Sequence, residues 1–227
     1  ENRTIFSALL DTLSISQPPW NKFTKTSDAT KFAKTVGFPV LVRPSFVLSG
    51  SNMKIIYSDE ELVSFLKKIS VISKEYPVAI SKFIEDAKEI EIDAVAGQGI
   101  IKAFAVSEHV ENAGVHSGDA SIVFPPQKVY VETLKKLRLI AENLAKNLSI
   151  SGPFNIQCLA KDNDVSVIEI NLRSSRTFPF ISKIANIDLM EIAVDAFFGK
   201  SKNEVVLNLM RFDFVAVKVA QFSFSRL

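Results

Sequence analysis

Glu169 and Asn171 stand two apart in the segment Val165 to Leu172, and an extended strand would turn both toward one face. Val167 keeps the same spacing and is expected on that face, deeper in the sheet. The preceding segment, Phe154 to Ala160, is joined to this one by Lys161-Asp162-Asn163-Asp164, so a hairpin would bring the Gln157 carbonyl beside them. One carboxylate and two amide oxygens are hard donors of the kind Mg2+ accepts when it also binds substrate phosphates. Arg173 and Arg176 follow directly, with guanidinium groups suited to a transferring phosphoryl group or an acceptor carboxylate. On spacing alone a solvated strand face, with arginines paired to surface carboxylates, is an equally good account.

Two further segments carry chemistry less specifically. Arg43-Pro44-Ser45 leads into Leu48-Ser49-Gly50-Ser51-Asn52, a small-residue loop whose main-chain N–H groups could cover a polyphosphate, although G-x-x-x-x-G-K-[ST] is absent and a plain turn fits as well. Glu108 to Asp119 gathers both histidines, three carboxylates and two glycines between strand-like flanks, and reads as a polar working loop. No H-E-x-x-H, G-x-S-x-G or Cys/His pattern accompanies these histidines, so His109 reads as structural.

The elements that must position these residues are legible from periodicity. Arg3 to Leu13 reads as a helix, ended by Gln17-Pro18-Pro19. Trp20 to Phe23 is extended; Ser27 is expected to cap a helix that Gly37 ends, and Pro39 to Val42 follows as a buried strand. Met53 to Tyr57 reads as a strand, Ser58 and Glu61 form a capping box for the next helix, and Val78 to Phe83 returns as a strand. From Glu89 the signals become antiparallel: Glu89 to Ala96 alternates, Gly97-Gln98-Gly99 turns, and Ile100 to Ser107 runs back. Leu134, Leu137, Ala141, Leu144 and Leu148 mark an amphipathic helix, and Asp188 to Phe198 a further one stopped by Gly199.

Composition bounds the rest. A chain of 227 residues, 47% hydrophobic, can fill one large domain or two packed lobes. Its 27 basic and 25 acidic residues are intermixed, which points to neither nucleic acid nor a membrane surface, and no apolar run approaches the roughly 20 residues of a membrane span. Cys158 is the single cysteine, which excludes an internal disulfide and fits a cytoplasmic location, with a mitochondrial one also compatible. Glu1 opens the chain without methionine, Val215 to Leu227 reads as a strand entering further structure, and mean hydropathy is +0.19, so a fragment of a longer protein is expected.

Val42-Arg43-Pro44-Ser45, Leu48-Ser49-Gly50, Glu108 to Asp119, Glu169-Ile170-Asn171-Leu172-Arg173 and Gln221 to Arg226 together resemble carbamoyl phosphate synthetase, through nearly the whole chain. The likeness is to the ATP-grasp core of the second, carbamate-phosphorylating synthetase half. It implies an α+β ATP-grasp fold: a small lid lobe at 17–81 over a larger, mainly antiparallel lobe at 82–227, joined by the helix at 1–16. It implies ATP and Mg2+ (or Mn2+) as cofactors, and phosphorylation of carbamate to carbamoyl phosphate in pyrimidine or arginine biosynthesis. By similarity Arg3 and Arg43 contact nucleotide phosphates, Lys82, Ile84 and Glu89 hold adenine and ribose, and Gly114, Val115, His116 and Ser117 form a nucleotide-contacting loop. Gln157, Glu169 and Asn171 match the metal ligands, and Arg173 and Arg176, with Glu169, the catalytic phosphoryl site. Implied partners are the remaining synthetase domains and a glutamine amidotransferase domain or subunit. A non-catalytic nucleotide-binding module and another ATP-grasp carboxylate ligase are the alternative functions.

Overall fold

Leu9, Leu10 and Leu13 recur at helical spacing, and in the computed structural model α1 (Arg3–Thr12) buries Leu10 while Gln17 Nε2 closes the turn beyond it on Ser7 O (3.0 Å) and Asp11 Oδ1 (2.9 Å). The structure describes residues 3–44, 53–68, 77–115, 119–200, 204–207 and 212–219. The loop Leu48 to Asn52, His116, Ser117 and Gln221 to Arg226 lie outside them. The chain divides into two compact units, Pro18–Glu85 and the combination of Glu1–Gln17 with Asp86–Leu227.

In the smaller unit β1 (Trp20–Phe23), α2 (Thr26–Val36), β2 (Val40–Pro44), β3 (Lys54–Ile56), α3 (Asp59–Lys68) and β4 (Val78–Lys82) build a four-stranded sheet in the order β1-β4-β2-β3, with every pairing antiparallel. Val40, Val42, Ile56, Val78 and Ile80 alternate onto the face covered by Ala29, Ala33, Leu62 and Leu66 of the helices. The capping box forms: Ser58 Oγ accepts from Glu61 N (3.2 Å), and Glu61 Oε2 reaches back to Tyr57 N (2.9 Å). Ser27 is not a cap, because α2 begins at Thr26 after Lys25 and Ser27 already lies in the first turn. Gly37 ends that helix at φ 77°, a conformation open to glycine without Cβ strain. Lys82 N donates to Pro19 O (2.8 Å) and Phe83 N to Pro39 O (3.1 Å), which ties the chain after β4 to this unit as far as Glu85, rather than ending it at 81.

The larger unit continues with β5 (Lys88–Gly97), β6 (Ile100–Asn112), β7 (Ile122–Phe124), α4 (Val131–Asn147), β8 (Gly152–Lys161), β9 (Asp164–Asn171), α5 (Phe178–Ala185), α6 (Leu189–Phe197), β10 (Val205–Val206) and β11 (Ala216–Lys218). Its sheet runs β11-β7-β6-β5-β8-β9, antiparallel along this path, with β10 added parallel to β6. Ile90, Ile92, Phe154, Ile156 and Val167 pack on one face under Leu10 of α1 and Leu137, Ala141 and Leu144 of α4, each buried leucine contributing roughly 1.5 to 3 kcal/mol. On the other face, toward one end, Val95, Ala103, Ala105 and Phe124 lie under Phe178 and Ile181 of α5 and Leu189 and Ala193 of α6. The rest of that face is polar, and it carries the candidate site.

Three sequence expectations change here. The span Glu108 to Asn112 belongs to β6, so only the residues beyond it can form the expected polar loop. Helix α5 and strands β7 and β10 were not expected. The largest change concerns β9: Gln157 pairs with Glu169 and Cys158 with Val167, leaving Ile168 as an extra residue in a β-bulge. Val167 therefore lies on the core face with Cys158, not on the face of Glu169 and Asn171. No described helix is long and apolar enough to cross a membrane.

Candidate functional site

The β8–β9 hairpin at the edge of the sheet carries the candidate metal ligands on the polar face. Gln157 on β8 stands directly across from Glu169 on β9, and Asn155 across from Asn171, so their Cβ atoms are about 5 Å apart within each pair. Asn171 Nδ2 donates to Glu169 Oε1 (3.0 Å), which orients both side chains and leaves Asn171 Oδ1 and Glu169 Oε2 to accept. Gln157, Glu169 and Asn171 are all half-buried, between core and solvent. The far end of the hairpin is anchored on α4, where Thr133 Oγ1 donates to Asn163 Oδ1 (3.2 Å) and Lys136 Nζ to Asn163 O (2.7 Å).

The row continues inward on the central strand. Glu91 of β5 pairs with Gln157 on one side and Ser107 of β6 on the other; Asp93 pairs with Asn155. Glu89, Glu91 and Asp93 alternate as a solvated face would, yet all three are buried. Glu91 Oε1 accepts from His109 Nε2 (3.2 Å) and Oε2 from Thr177 Oγ1 (3.0 Å). Asp93 Oδ1 accepts from Asn155 Nδ2 (3.1 Å), while Asp93 Oδ2 is buried without a well-formed hydrogen bond. Burial, then the neighbouring charge of Glu91, push the Asp93 carboxyl up to about 7; the nearby Ser175 hydroxyl and the Asn155 amide offset this only in part.

The remaining candidates are distributed as follows. Arg173 and Arg176 follow β9 and are exposed; Arg173 Nη1 donates to Ser174 O (3.1 Å). Ser175 Oγ between them accepts from Thr177 N (2.9 Å) and Phe178 N (3.1 Å), satisfying the first free N–H groups of α5. Glu89 is on β5, across from Leu159 and two residues before Glu91. Gly114, at φ 115°, and Val115 lie just beyond β6, exposed. Arg3 is the first residue of α1. Arg43 on β2, Lys82 at the end of β4 and Ile84 belong to the smaller unit, all half-buried. Lys82 Nζ donates to Gly37 O (3.1 Å) and Phe38 O (2.8 Å). Cys158, directly behind this face in the core, has its thiol pushed up by burial and by Glu89, which makes it unreactive.

Among the described residues no three His, Cys, Asp or Glu side chains are placed to hold a metal by themselves. One carboxylate flanked by two amide oxygens is a donor set that fits a hard divalent cation sharing its coordination with phosphate oxygens, and does not fit zinc.

The model of the family described as "Carbamoyl-phosphate synthase L chain, ATP binding domain" matches residues 2–204. The chain belongs to this family. The relatives of this ATP-binding domain include multifunctional proteins: pyr1-3 of Dictyostelium discoideum, 52% identical over 227 residues, and pyrABCN of Emericella nidulans, 49% identical. The mitochondrial carbamoyl-phosphate synthase [ammonia] of Rattus norvegicus is 45% identical over 232 residues. Each match covers 100% of this chain, which spans only 10% of the first two relatives and 16% of the third. Among solved structures, an ADP complex of N5-carboxyaminoimidazole ribonucleotide synthetase aligns over 91% of this chain and 53% of its own, with TM-score 0.76 and 14% identity. The biotin carboxylase domain of Hydrogenobacter thermophilus 2-oxoglutarate carboxylase, solved with MgADP and bicarbonate, aligns over 92% and 48%, with TM-score 0.74 and 16% identity. At that identity the likeness is one of fold: the chain has the α+β ATP-grasp architecture.

Sequence reasoning missed Glu91, Asp93, Asn155, Ser175 and Thr177 as parts of this site. The alternation of Glu89, Glu91 and Asp93 was visible, but an alternating acidic strand ordinarily signals solvent. What distinguishes the two cases is whether neighbouring strands and helices cover the face, and that is a property of the assembled sheet.

Proposed function

We propose that this domain binds MgATP (or MnATP) and phosphorylates carbamate, as the second synthetase half of a carbamoyl-phosphate synthetase in pyrimidine or arginine biosynthesis. The observation that carries the reading is the direct cross-strand pair Gln157 and Glu169, with Asn171 hydrogen-bonded to Glu169 on the same face. The remaining synthetase domains and a glutamine amidotransferase are its proposed partners, and the cytoplasm, or the mitochondrion as in the rat relative, its proposed location.

In this reading Gln157, Glu169 and Asn171 hold the divalent ion, which when bound neutralises phosphate charge. Arg173 and Arg176 stabilise the negative charge that spreads over the transferring phosphoryl oxygens, where preorganised cations contribute most. Glu89 takes the ribose with Lys82 and Ile84 holding adenine and ribose, Arg3 and Arg43 contact the phosphates, and Gly114 to Ser117 form a nucleotide-contacting loop. No side chain acts as a covalent nucleophile; the residues bind, orient and neutralise.

The reverse half-reaction tests this. The complete synthetase carrying this segment is expected to form ATP from ADP and carbamoyl phosphate, and Glu169→Gln to reduce that rate by roughly 100-fold or more while weakening the dependence on divalent ion. ATP formation at the wild-type rate in Glu169→Gln, across limiting and saturating Mg2+, would remove the metal assignment. Inability of the complete wild-type enzyme to use carbamoyl phosphate would remove the substrate.

A further inference from the structure

Glu91 occupies an unusual position for a carboxylate. It is 2% exposed on the central strand and faces no lysine or arginine in a described ion pair, yet both its oxygens are engaged. One accepts from His109 on β6; the other accepts from Thr177, which is itself 2% exposed and directly precedes α5. Across the ladder its strand neighbour is Gln157, which in turn faces Glu169. Replacing Glu91 alone would leave the buried His109 nitrogen and Thr177 hydroxyl without their partner. Here the two hydrogen bonds link three separate pieces of chain.

We infer that Glu91 and Thr177 are positioning residues that fix the arginine-bearing segment beside the Gln157–Glu169 pair. The segment Leu172 to Arg176 leaves the sheet where Asn171 pairs with Asn155 and re-enters fixed structure at Thr177. Its two ends are therefore both set by the polar face: the first by strand pairing, the second by the Thr177 hydroxyl on Glu91. Ser175, midway between, is spent on the first N–H groups of α5, so the helix start and the segment are held as one piece. Arg173 and Arg176 are exposed side chains, and their aim depends on where the main chain beneath them is held. The Thr177 to Glu91 bond ties that main chain to the central strand at the point where α5 begins, and the Ser175 hydroxyl lies near Asp93 of the same strand. The inference rests on the phosphoryl-transfer reading of the site, but it concerns residues that contact neither nucleotide nor acceptor.

Thr177→Val removes the hydroxyl at nearly constant shape, and Thr177→Ser keeps it. In the complete synthetase, Thr177→Val is expected to lower the kcat of ATP formation from ADP and carbamoyl phosphate by roughly 100-fold, as misplacement of about 1 Å does, with the KM for ADP within about two-fold of wild type. Trypsin gives a readout that needs no turnover: cleavage after Arg173 and Arg176, identified by fragment mass, is expected to accelerate in Thr177→Val relative to other basic sites. Thr177→Ser is expected to restore both measurements to within about three-fold. Wild-type kcat and tryptic pattern in Thr177→Val, or loss of both in Thr177→Ser, overturns the inference. If the complete wild-type enzyme cannot form ATP from ADP and carbamoyl phosphate, the functional reading fails instead, and the tryptic comparison still decides whether Thr177 anchors the segment.

Discussion

Asp93 shows how a single buried residue sets a measurable property of the whole domain. Burial and the charge of Glu91 raise its carboxyl from 3.8 to about 7, so the fold favours its protonated form between those values. Native protein then binds more protons than unfolded chain, and stability from this residue, complete below about pH 4, is lost as pH rises through 7. Replacing it by asparagine removes the titration. Across pH 4 to 8 the denaturant midpoint of Asp93→Asn is expected to fall less steeply than that of wild type, with the curves converging at the acid end relative to pH 8. Parallel curves would show that Asp93 keeps an ordinary carboxylate value. At this scale the sequence was informative about residue type and silent about environment: Glu169, Asn171 and Gln157 were recognisable because chemistry and spacing agreed, whereas Asp93 and Glu91 looked like solvent-facing acids and are in fact buried between β6 and β8 with Thr177 bonded to Glu91.

Elements were legible where local chemistry closes on itself. The β5–β6 turn could be read because Gln98 and Gly99 both adopt positive φ, 52° and 78°, in a two-residue connection, and a Cβ on Gly99 would approach Lys146 Cα at 3.0 Å. The start of α3 could be read because Ser58 and Glu61 act within one turn, and Ser58→Ala is expected to destabilise the smaller unit by about 1 kcal/mol, seen as a lower denaturant midpoint at unchanged slope. An unchanged midpoint would mean that water satisfies the Glu61 N–H equally well. The bulge at Ile168 had no such local signature. An isoleucine in a run of apolar and polar alternation is indistinguishable from its neighbours, and the extra residue shows only when β8 supplies the pairing register. Yet the bulge decides the site, since it allows Val167 to stay in the core while Glu169 and Asn171 face away from it. Helix α5 escaped notice because it is short and opens Phe178-Pro179, a pair that reads as a break until Pro179 is recognised as belonging to the first helical turn.

At the level of the molecule, the division into Pro18–Glu85 and the remainder is a division of cores. Ile80, Val42, Leu62 and their neighbours form one buried cluster; the clusters on the two faces of the seven-stranded sheet share no residue with it. A cavity opened in one core should therefore be felt mainly by the elements that line it. Ile80 is fully buried at the centre of the smaller sheet, between Asn21 of β1 and Val42 of β2, and Ile80→Ala is expected to cost on the order of 2 to 5 kcal/mol. Amide hydrogen exchange can locate that cost: protection should fall across β1, β2, β4, α2 and α3, while β5, β8 and β9, which carry Glu91, Gln157 and Glu169, should keep wild-type protection. Nucleotide-free protein is the proper sample, because a ligand held by either unit would add its own stabilisation to the comparison. Equal loss of protection in both sets of strands would mean that the domain opens as one cooperative body, and that the buried network beneath the metal ligands depends on the integrity of both cores.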